Sequence, residues 1–285
     1  MHTRPARRGL RAAVPAILAV LLFAPLAHAQ IGRSSPPSSA PADASAASTA
    51  SAPTPARTIA VISLVGDKID VVTAVTQTGR LMDANGHNVL PFAAAGLDIS
   101  ALGAAQTVLR KVDPTLDIAL LAASRLETFE AQDKIFDGDH VKLPEEVAAA
   151  VQREHATQLV LMTKYRSEAR LTGGNGALGN GKIGGLGFYV DFAARIKSSE
   201  TGGIERGFIA PFAYIQLSLI DVATNTVVRR TEATHSYLLG TAGHPAETNP
   251  WEVLTPDQKV AALKEVLGGA VRDALPKLMA TPSAK

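Results

Sequence analysis

Residues 144–163 read PEEVAAAVQREHATQLVLMT and place a helix directly before a strand. Pro144 suits the first turn of a helix, and the two glutamates that follow it lie at the positive end of the helix dipole. The spacing therefore predicts a helix that runs to about His155. The apolar run from 158 to 163 has the length of a buried strand. A helix that leads into a strand favours an α/β arrangement.

Other segments extend this pattern on both sides. Short apolar or alternating runs predict strands at 58–65, 68–75, 116–122, 158–171, 188–196, 208–221 and 227–238. Pro211 implies a bulge or an edge near the start of its strand. Asp98 is predicted to cap a helix to about Val112, and Thr255 to cap one to about Leu278. We therefore predict an α/β fold: a single domain with a mixed, largely antiparallel sheet, about three helices and a glycine-rich hairpin insertion.

The first 57 residues indicate where the protein works. Four arginines precede the apolar run 12–26, and Ala27-His28-Ala29 has the small-x-small pattern of a signal-peptidase site. We expect residues 1–29 to be a cleaved signal peptide, by the general or the twin-arginine route, and the protein to be periplasmic. Residues 30–57 are rich in Ser, Pro and Ala and predict a disordered leader. The α/β domain is expected at 58–280 and a disordered tail at 281–285.

Charge and cysteine content exclude several classes of protein. The whole chain has 28 basic and 26 acidic side chains, a formal charge of +2. Removing the four signal-peptide arginines leaves 24 against 26, a balance of −2, so we expect no nucleic-acid partner. The chain has no cysteine, which excludes disulfides, thiolate metal sites and an acylated lipoprotein cysteine. No later run reaches the ~18 apolar residues of a membrane span.

A glycine-rich segment at 173–187 holds eight glycines in fifteen residues. Gly174, Gly176 and Gly179 match the dinucleotide-binding fingerprint, but no helix follows to receive a pyrophosphate, so no cofactor is predicted. We interpret the segment as a flexible hairpin tip that could bind a partner, with Lys182 beside the glycines. An alternative is that strands 162–171 and 188–197 form a hairpin of an oligomeric outer-membrane channel.

Two polar clusters are weaker candidates for chemistry. Gly66-Asp67-Lys68-Ile69-Asp70, after the first strand, resembles the metal-ligand segment of calcineurin-like phosphoesterases, whereas Asn85-Gly86-His87 inverts the Gly-Asn-His order of that family. The earlier Asp-x-His that this family requires is absent. Asp67, Asp70 and His87 define the alternative hypothesis of a metal-dependent hydrolase.

The second cluster lies in the loop that precedes the 144–155 helix. Asp137, Asp139 and His140 are close in sequence, but they lack the twelve-residue calcium-loop spacing. A solvated turn at Asp137-Gly138 is the favoured interpretation. We therefore predict no metal site in this loop and keep these residues as weak candidates.

The order of elements resembles the small α/β domain of the TolB N-terminal part, of CsgG-type secretion proteins and of LpoB-type activators of peptidoglycan synthesis. The stretches that carry the likeness are 58–64, 145–162 and the hairpin 217–228. The resemblance implies an envelope role and transfers no functional residue. Our leading hypothesis is a non-enzymatic periplasmic protein that binds an envelope protein or cell-wall component, with self-association compatible with it.

Overall fold

A computed structural model describes residues 57–75, 84–92, 96–173, 176–197, 202–245 and 248–280. The predicted signal peptide, leader and tail, and the candidate residue Gly174, lie outside these ranges. The domain boundaries drawn from the sequence therefore stay predictions.

The described residues form four α-helices and fourteen strands. The helices are α1 Gly96–Val112, α2 Leu126–Glu130, α3 Glu145–Arg153 and α4 Pro256–Met279, and short 3₁₀ turns occupy Ala131–Lys134 and Pro250–Val253. The strands are β1 Thr58–Ser63, β2 Lys68–Thr73, β3 Gly86–Pro91, β4 Asp117–Ala122, β5 Phe136–Asp137, β6 His140–Val141, β7 Gln158–Lys164, β8 Arg166–Glu168, β9 Leu171–Gly173, β10 Gly176–Leu178, β11 Lys182–Lys197, β12 Ile204–Asp221, β13 Thr226–Ser236 and β14 Leu239–Gly240. Within these ranges no helix has a stretch long and apolar enough to cross a bilayer.

The long strand β12 organises the sheet. One edge of β12 pairs antiparallel with β11 along its first half and with β7 along its second half. The other edge pairs with β13 and β14. Beyond β7 lie the parallel neighbours β1 and β4, and beyond β11 lie β2, which is parallel to it, and β3. The predicted α/β fold with a mixed sheet is confirmed.

Three apolar clusters cover the two faces of this sheet. Helices α1 and α4 bury one face, with Phe188, Ile215 and Val266 among the fully buried side chains. On the opposite face, α3 covers the parallel strands. The rest of that face holds an aromatic cluster of Tyr189, Phe208, Phe212 and Tyr214 that none of the four described helices covers. Burial of this apolar area is the main favourable term in folding.

Several predicted elements differ in detail from the structure. Asp98 lies inside the first turn of α1 rather than at its N-cap. Its carboxylate accepts hydrogen bonds from the amides of Val65 and Gly66, just after β1, instead of capping its own helix. The Asn85-Gly86 turn is instead the start of β3, an edge strand whose six residues are all exposed and so lack an alternating pattern. Pro211 lies opposite the gap between β13, which ends at Ser236, and β14. A missing N–H is tolerated where the partner strand is interrupted.

Candidate functional site

Part of the glycine-rich segment covers the aromatic cluster. We call residues 166–173 and 176–184 the glycine cover. Leu171 and Ile183 from the cover are fully buried against the aromatic rings. The hydroxyl of Tyr189 donates to Asn180 Oδ1 at 2.5 Å, and the Arg170 amide donates to the Tyr214 hydroxyl at 2.8 Å. Asn180 and Ile183 of the predicted hairpin tip therefore pack on the sheet, whereas β9 and β10 pair as a hairpin whose residues 176–179 are exposed.

The candidate binding residues of the glycine cover have structural surroundings. Gly179 has a φ of +103°, and a Cβ there would lie 3.1 Å from the Cβ of Ala169, so this position suits glycine. Gly176 is exposed in β10 and has open space around its Cα. Lys182 begins β11, where its backbone pairs with Glu168 of β8. Their role in binding a partner stays untested.

The strand pairing needed for a channel hairpin is absent from the described residues. Strand β7 pairs with β1 and β12, and β11 pairs with β2 and β12. The segment 166–168 meets β11 at only three residues, 182–184. The predicted continuous strand 158–171 is broken at Tyr165, whose amide instead bonds to the Tyr214 carbonyl. Segments 162–171 and 188–197 therefore do not form one long hairpin.

The proposed hydrolase ligands divide into two groups with different partners. Asp70 and His87 lie on neighbouring strands, and the Asp70 Oδ2 to His87 Nδ1 distance is 2.8 Å. Asp67 instead forms a partly buried ion pair with Lys164, and its Oδ2 lies 3.9 Å from the ammonium of Lys68. A lysine-neutralised carboxylate is a poor ligand for a divalent cation, because the ammonium occupies the place of the metal.

The loop cluster is likewise not a convergent ligand set. Asp137 and His140 face each other in the short β5–β6 hairpin, and Gly138 turns it with a φ of +60°. Asp139 contributes its backbone carbonyl to the Val227 amide at 2.8 Å. All three candidate side chains are exposed. Across the described ranges, no three His, Asp or Glu side chains are grouped so that they could hold a metal ion.

A polar cluster that sequence analysis missed lies at the carboxyl end of β1, where parallel sheets often bind ligands. Asp98 Oδ1 accepts the Ser63 hydroxyl at 2.5 Å and the amides of Val65 and Gly66 at 3.2 and 3.1 Å. Burial raises the pKa of Asp98, while these hydrogen bonds oppose the rise. Because every contact is internal and Ser63 is buried, the cluster fastens α1 to β1 rather than presenting a nucleophile.

A cavity of about 650 Å³ lies between α2 and the start of α3. Glu146 lines it, and its carboxylate accepts the hydroxyls of Ser124 and Thr128, both at 2.6 Å. These hydrogen bonds lower the pKa of Glu146. The Glu146 carboxylate is thus already engaged by the hydroxyls of Ser124 and Thr128.

The feature most open to a partner is a two-stranded projection that we call the arm, residues 191–197 and 204–207. Its strands pair with each other as Arg195↔Arg206, Ile196↔Glu205 and Lys197↔Ile204. Strand β2 ends opposite Val190, so the β11 side of the arm has no neighbour among the described strands. The arm therefore extends past the main body of the sheet.

A bulge separates the arm from the rest of the sheet. Asp191 pairs with Phe208 and Arg195 with Arg206, so three residues of β11 face Gly207 alone. Asp191 Oδ1 accepts the amides of Ala193 and Ala194, both at 2.8 Å, which fixes the bulge. Bulges of this kind re-aim the strand that follows. The strand predicted at 188–196 is thus interrupted by a bulge.

Two sides of the arm have different character. Side chains directly opposite in a ladder share a face, so Arg195, Arg206, Lys197 and Ile204 lie together; we call these four the outer face. All four are exposed, and Ile204 retains 76% of its surface. None of the three cations has an ion-pair partner within the described ranges. Sequence analysis did not single out these four residues, and pairing 188–197 with 204–221 would have brought them together.

Comparison with known proteins gives no assignment. No protein-family model matches the chain, and no curated protein matches it. Solved structures that match include a PelC dodecamer from Paraburkholderia phytofirmans, 13% identical over 79% of this chain and 89% of that chain, with a TM-score of 0.31. Protein XCC0632 from Xanthomonas campestris is 11% identical over 76% and 80%, with a TM-score of 0.32.

A third match is a neuraminyllactose-binding hemagglutinin homolog from Helicobacter pylori, 5% identical over 78% of this chain and 80% of that chain, with a TM-score of 0.32. These three are not TolB, CsgG or LpoB proteins, so the likeness drawn from the sequence is not reproduced among them. Matches at this level identify neither a family nor a function for the chain.

Proposed function

We propose that this chain is an exported accessory protein that binds another component of the cell envelope and has no catalytic role of its own. The observation that carries the proposal is the outer face of the arm, which presents three cations with no ion-pair partner among the described residues and an isoleucine that is 76% exposed. A cluster of like charges attracts a partner of opposite charge, and the apolar side chain beside it adds a contact that water does not satisfy.

The polar clusters elsewhere support binding rather than catalysis. Asp98, Glu146 and Asp67 each have their carboxylate engaged by neighbouring hydroxyls, amides or ammonium groups. A catalytic acid or base needs a pKa matched to its task and reach to a substrate. These groups are instead used to hold loops and helices together.

Export is part of the proposal and depends on the sequence of residues 1–29. We expect the chain, expressed with its own N-terminus, to be released by osmotic shock and to begin at Gln30 in N-terminal sequencing. Recovery of the whole polypeptide from the cytosol with Met1 intact would contradict export.

Binding is tested by site-directed photo-crosslinking in intact cells. A photoreactive residue at position 204 should crosslink to an envelope component, whereas the same residue at position 99, also exposed but on α1, should not. Equal crosslinking from both positions would count against the arm. Turnover of phosphate esters that disappears in Asp67→Ala would instead support the hydrolase alternative.

Self-association remains a prediction, measured by light scattering on the purified protein. A ring-sized particle would extend the proposal to an assembled accessory protein. A monomeric protein would mean that each molecule binds its partner through a single arm.

A further inference from the structure

We infer that the outer face of the arm binds a membrane surface rich in anionic phospholipid. This inference rests on the proposed function, because it requires the chain to work in the envelope. It names the partner as a lipid surface rather than a protein or a polymer.

The first argument is the charge of the outer face. Arg195 and Arg206 are directly opposite each other, and like charges directly opposite in a ladder are destabilising. Lys197 lies two residues along the same face, and no acid shares it within the described ranges. The nearest acid in the ladder, Glu205, points to the other side. An external anion relieves this repulsion, and phosphate is a good acceptor for arginine.

The second argument is that the opposite side of the arm is held by the protein itself. Glu205 Oε2 accepts the Ala242 amide at 2.9 Å. A Cβ at Gly240 would overlap Glu205 and come within 3.0 Å of Ile196 Cδ1, so the backbone packs closely there. Because this inner side rests on residues 240–242, the outer face is fixed in orientation toward the solvent.

The third argument separates a bilayer from a soluble polyanion. Ile204 is 76% exposed, the largest exposed fraction among the large apolar side chains of the described residues. Phe192, in the bulge at the base of the arm, is 44% exposed. An acidic polysaccharide offers charge but no apolar phase for these side chains. A lipid interface accepts apolar groups below the headgroups and cations at their level.

The test is co-sedimentation of the protein, expressed with its own N-terminus and purified as the cell delivers it, with unilamellar vesicles. Binding is expected to vesicles that contain phosphatidylglycerol and not to vesicles of phosphatidylcholine alone. Each outer-face cation contributes about fivefold to the partition coefficient. The triple variant Arg195→Gln/Lys197→Gln/Arg206→Gln should therefore lose about a hundredfold, and added salt should weaken the wild type.

Matched controls separate the arm from general charge. The triple variant Lys111→Gln/Lys142→Gln/Lys264→Gln removes three exposed cations elsewhere and should lose much less. Ile204→Ser should weaken binding at constant charge, whereas Val228→Ser, at another exposed strand position, should not. The variant Arg206→Glu tests whether binding is lost only because a variant misfolds. It places a glutamate directly opposite Arg195, so the two charges attract instead of repelling each other. It should unfold at the same or higher temperature and still lose binding.

Several outcomes would overturn the inference. They are failure of the wild type to bind phosphatidylglycerol vesicles, equal binding to both vesicle types, or equal losses in the arm triple and its control. If the arm binds an acidic polysaccharide and the protein does not bind vesicles, the partner is a polymer and the lipid inference is wrong. If vesicles fail but position 204 still crosslinks to an envelope protein in cells, the lipid inference fails and the accessory function stands.

Discussion

Replacing Asp98 with alanine should remove the acceptor that joins the end of β1 to the first turn of α1. One oxygen, Oδ1, receives the Ser63 hydroxyl and the amides of Val65 and Gly66. In Asp98→Ala these three buried donors lose their partner. At about 1 kcal/mol for each net hydrogen bond, the expected loss in the free energy of unfolding is about 3 kcal/mol. That is a large fraction of the roughly 5–15 kcal/mol typical of a domain.

The isosteric variant Asp98→Asn separates the hydrogen bonds from the charge. Its amide oxygen can accept the same three donors, and it does not carry the buried negative charge that desolvation disfavours. We expect it to lose less than about 1 kcal/mol at neutral pH. Asp133→Asn, an exposed acid in the 3₁₀ turn, is the control and should stay within about 0.5 kcal/mol of the wild type.

The sign of the pH dependence provides a second measurement on the same pair. Burial raises the pKa of Asp98 above 3.8, so the folded state holds this proton more tightly than the unfolded state. The contribution of Asp98 to stability is therefore greatest below 3.8 and is lost as the pH rises through its folded pKa. The unfolding free energy of the wild type minus that of Asp98→Asn should increase on acidification. Groups common to both proteins cancel in this difference.

Urea unfolding followed by circular dichroism measures these quantities from the midpoint and the slope. The reasoning is refuted if Asp98→Ala loses less than about 1 kcal/mol, or if asparagine is as damaging as alanine. A difference between wild type and Asp98→Asn that falls on acidification would show that the carboxylate is stabilised rather than strained by its surroundings.

Three further predictions concern packing and titration. In Gly187→Ala the new Cβ would overlap the Asp70 carbonyl oxygen of β2, so the free energy of unfolding in urea should fall by about 3 kcal/mol or more. In Gly103→Ala, at an open position on α1, the same quantity should rise by up to about 1 kcal/mol. Leu171→Ala should cost about 2–5 kcal/mol and speed proteolysis within the glycine cover, and unchanged digestion would contradict its role as an anchor. Burial, then the adjacent Glu265, raises the pKa of Tyr237 to about 12. In a spectrophotometric titration Glu265→Gln should lower that pKa, and an unchanged curve would remove the carboxylate as a cause.

Much of the fold was accessible to sequence reasoning because local signals agreed with the final structure. The helix-to-strand unit at 144–163 and the capping box of Thr255 and Gln258 involve neighbours in the chain. Such signals depend on residues a few positions apart and can be recognised without knowing which elements pack against the segment. The exposed edge strand β3 carried no alternating pattern, so it was missed.

The candidate sites were less accessible, since their residues come from distant parts of the chain. Asp98 was predicted to be a helix cap, and its true partners lie more than thirty residues earlier at the end of β1. Asp67 was a candidate metal ligand because nothing in its neighbourhood predicts Lys164, which follows it by 97 residues. Charge pairing across a fold cannot be inferred from the composition of one segment.

The sequence by itself determined the α/β class, because the periodicity of apolar residues and the helix-capping residues act over a few positions. It also has no cysteine, and residues 1–29 predict an export signal. Only the tertiary structure decided that part of the glycine-rich segment lies on the aromatic face and that the exposed projection is the β11–β12 arm. The reason is that burial depends on which surfaces meet. Leu171 and Ile183 pack against the aromatic cluster and are buried by it. Ile204 lies beyond the end of β2, where among the described strands only β11 lies beside it, and stays exposed.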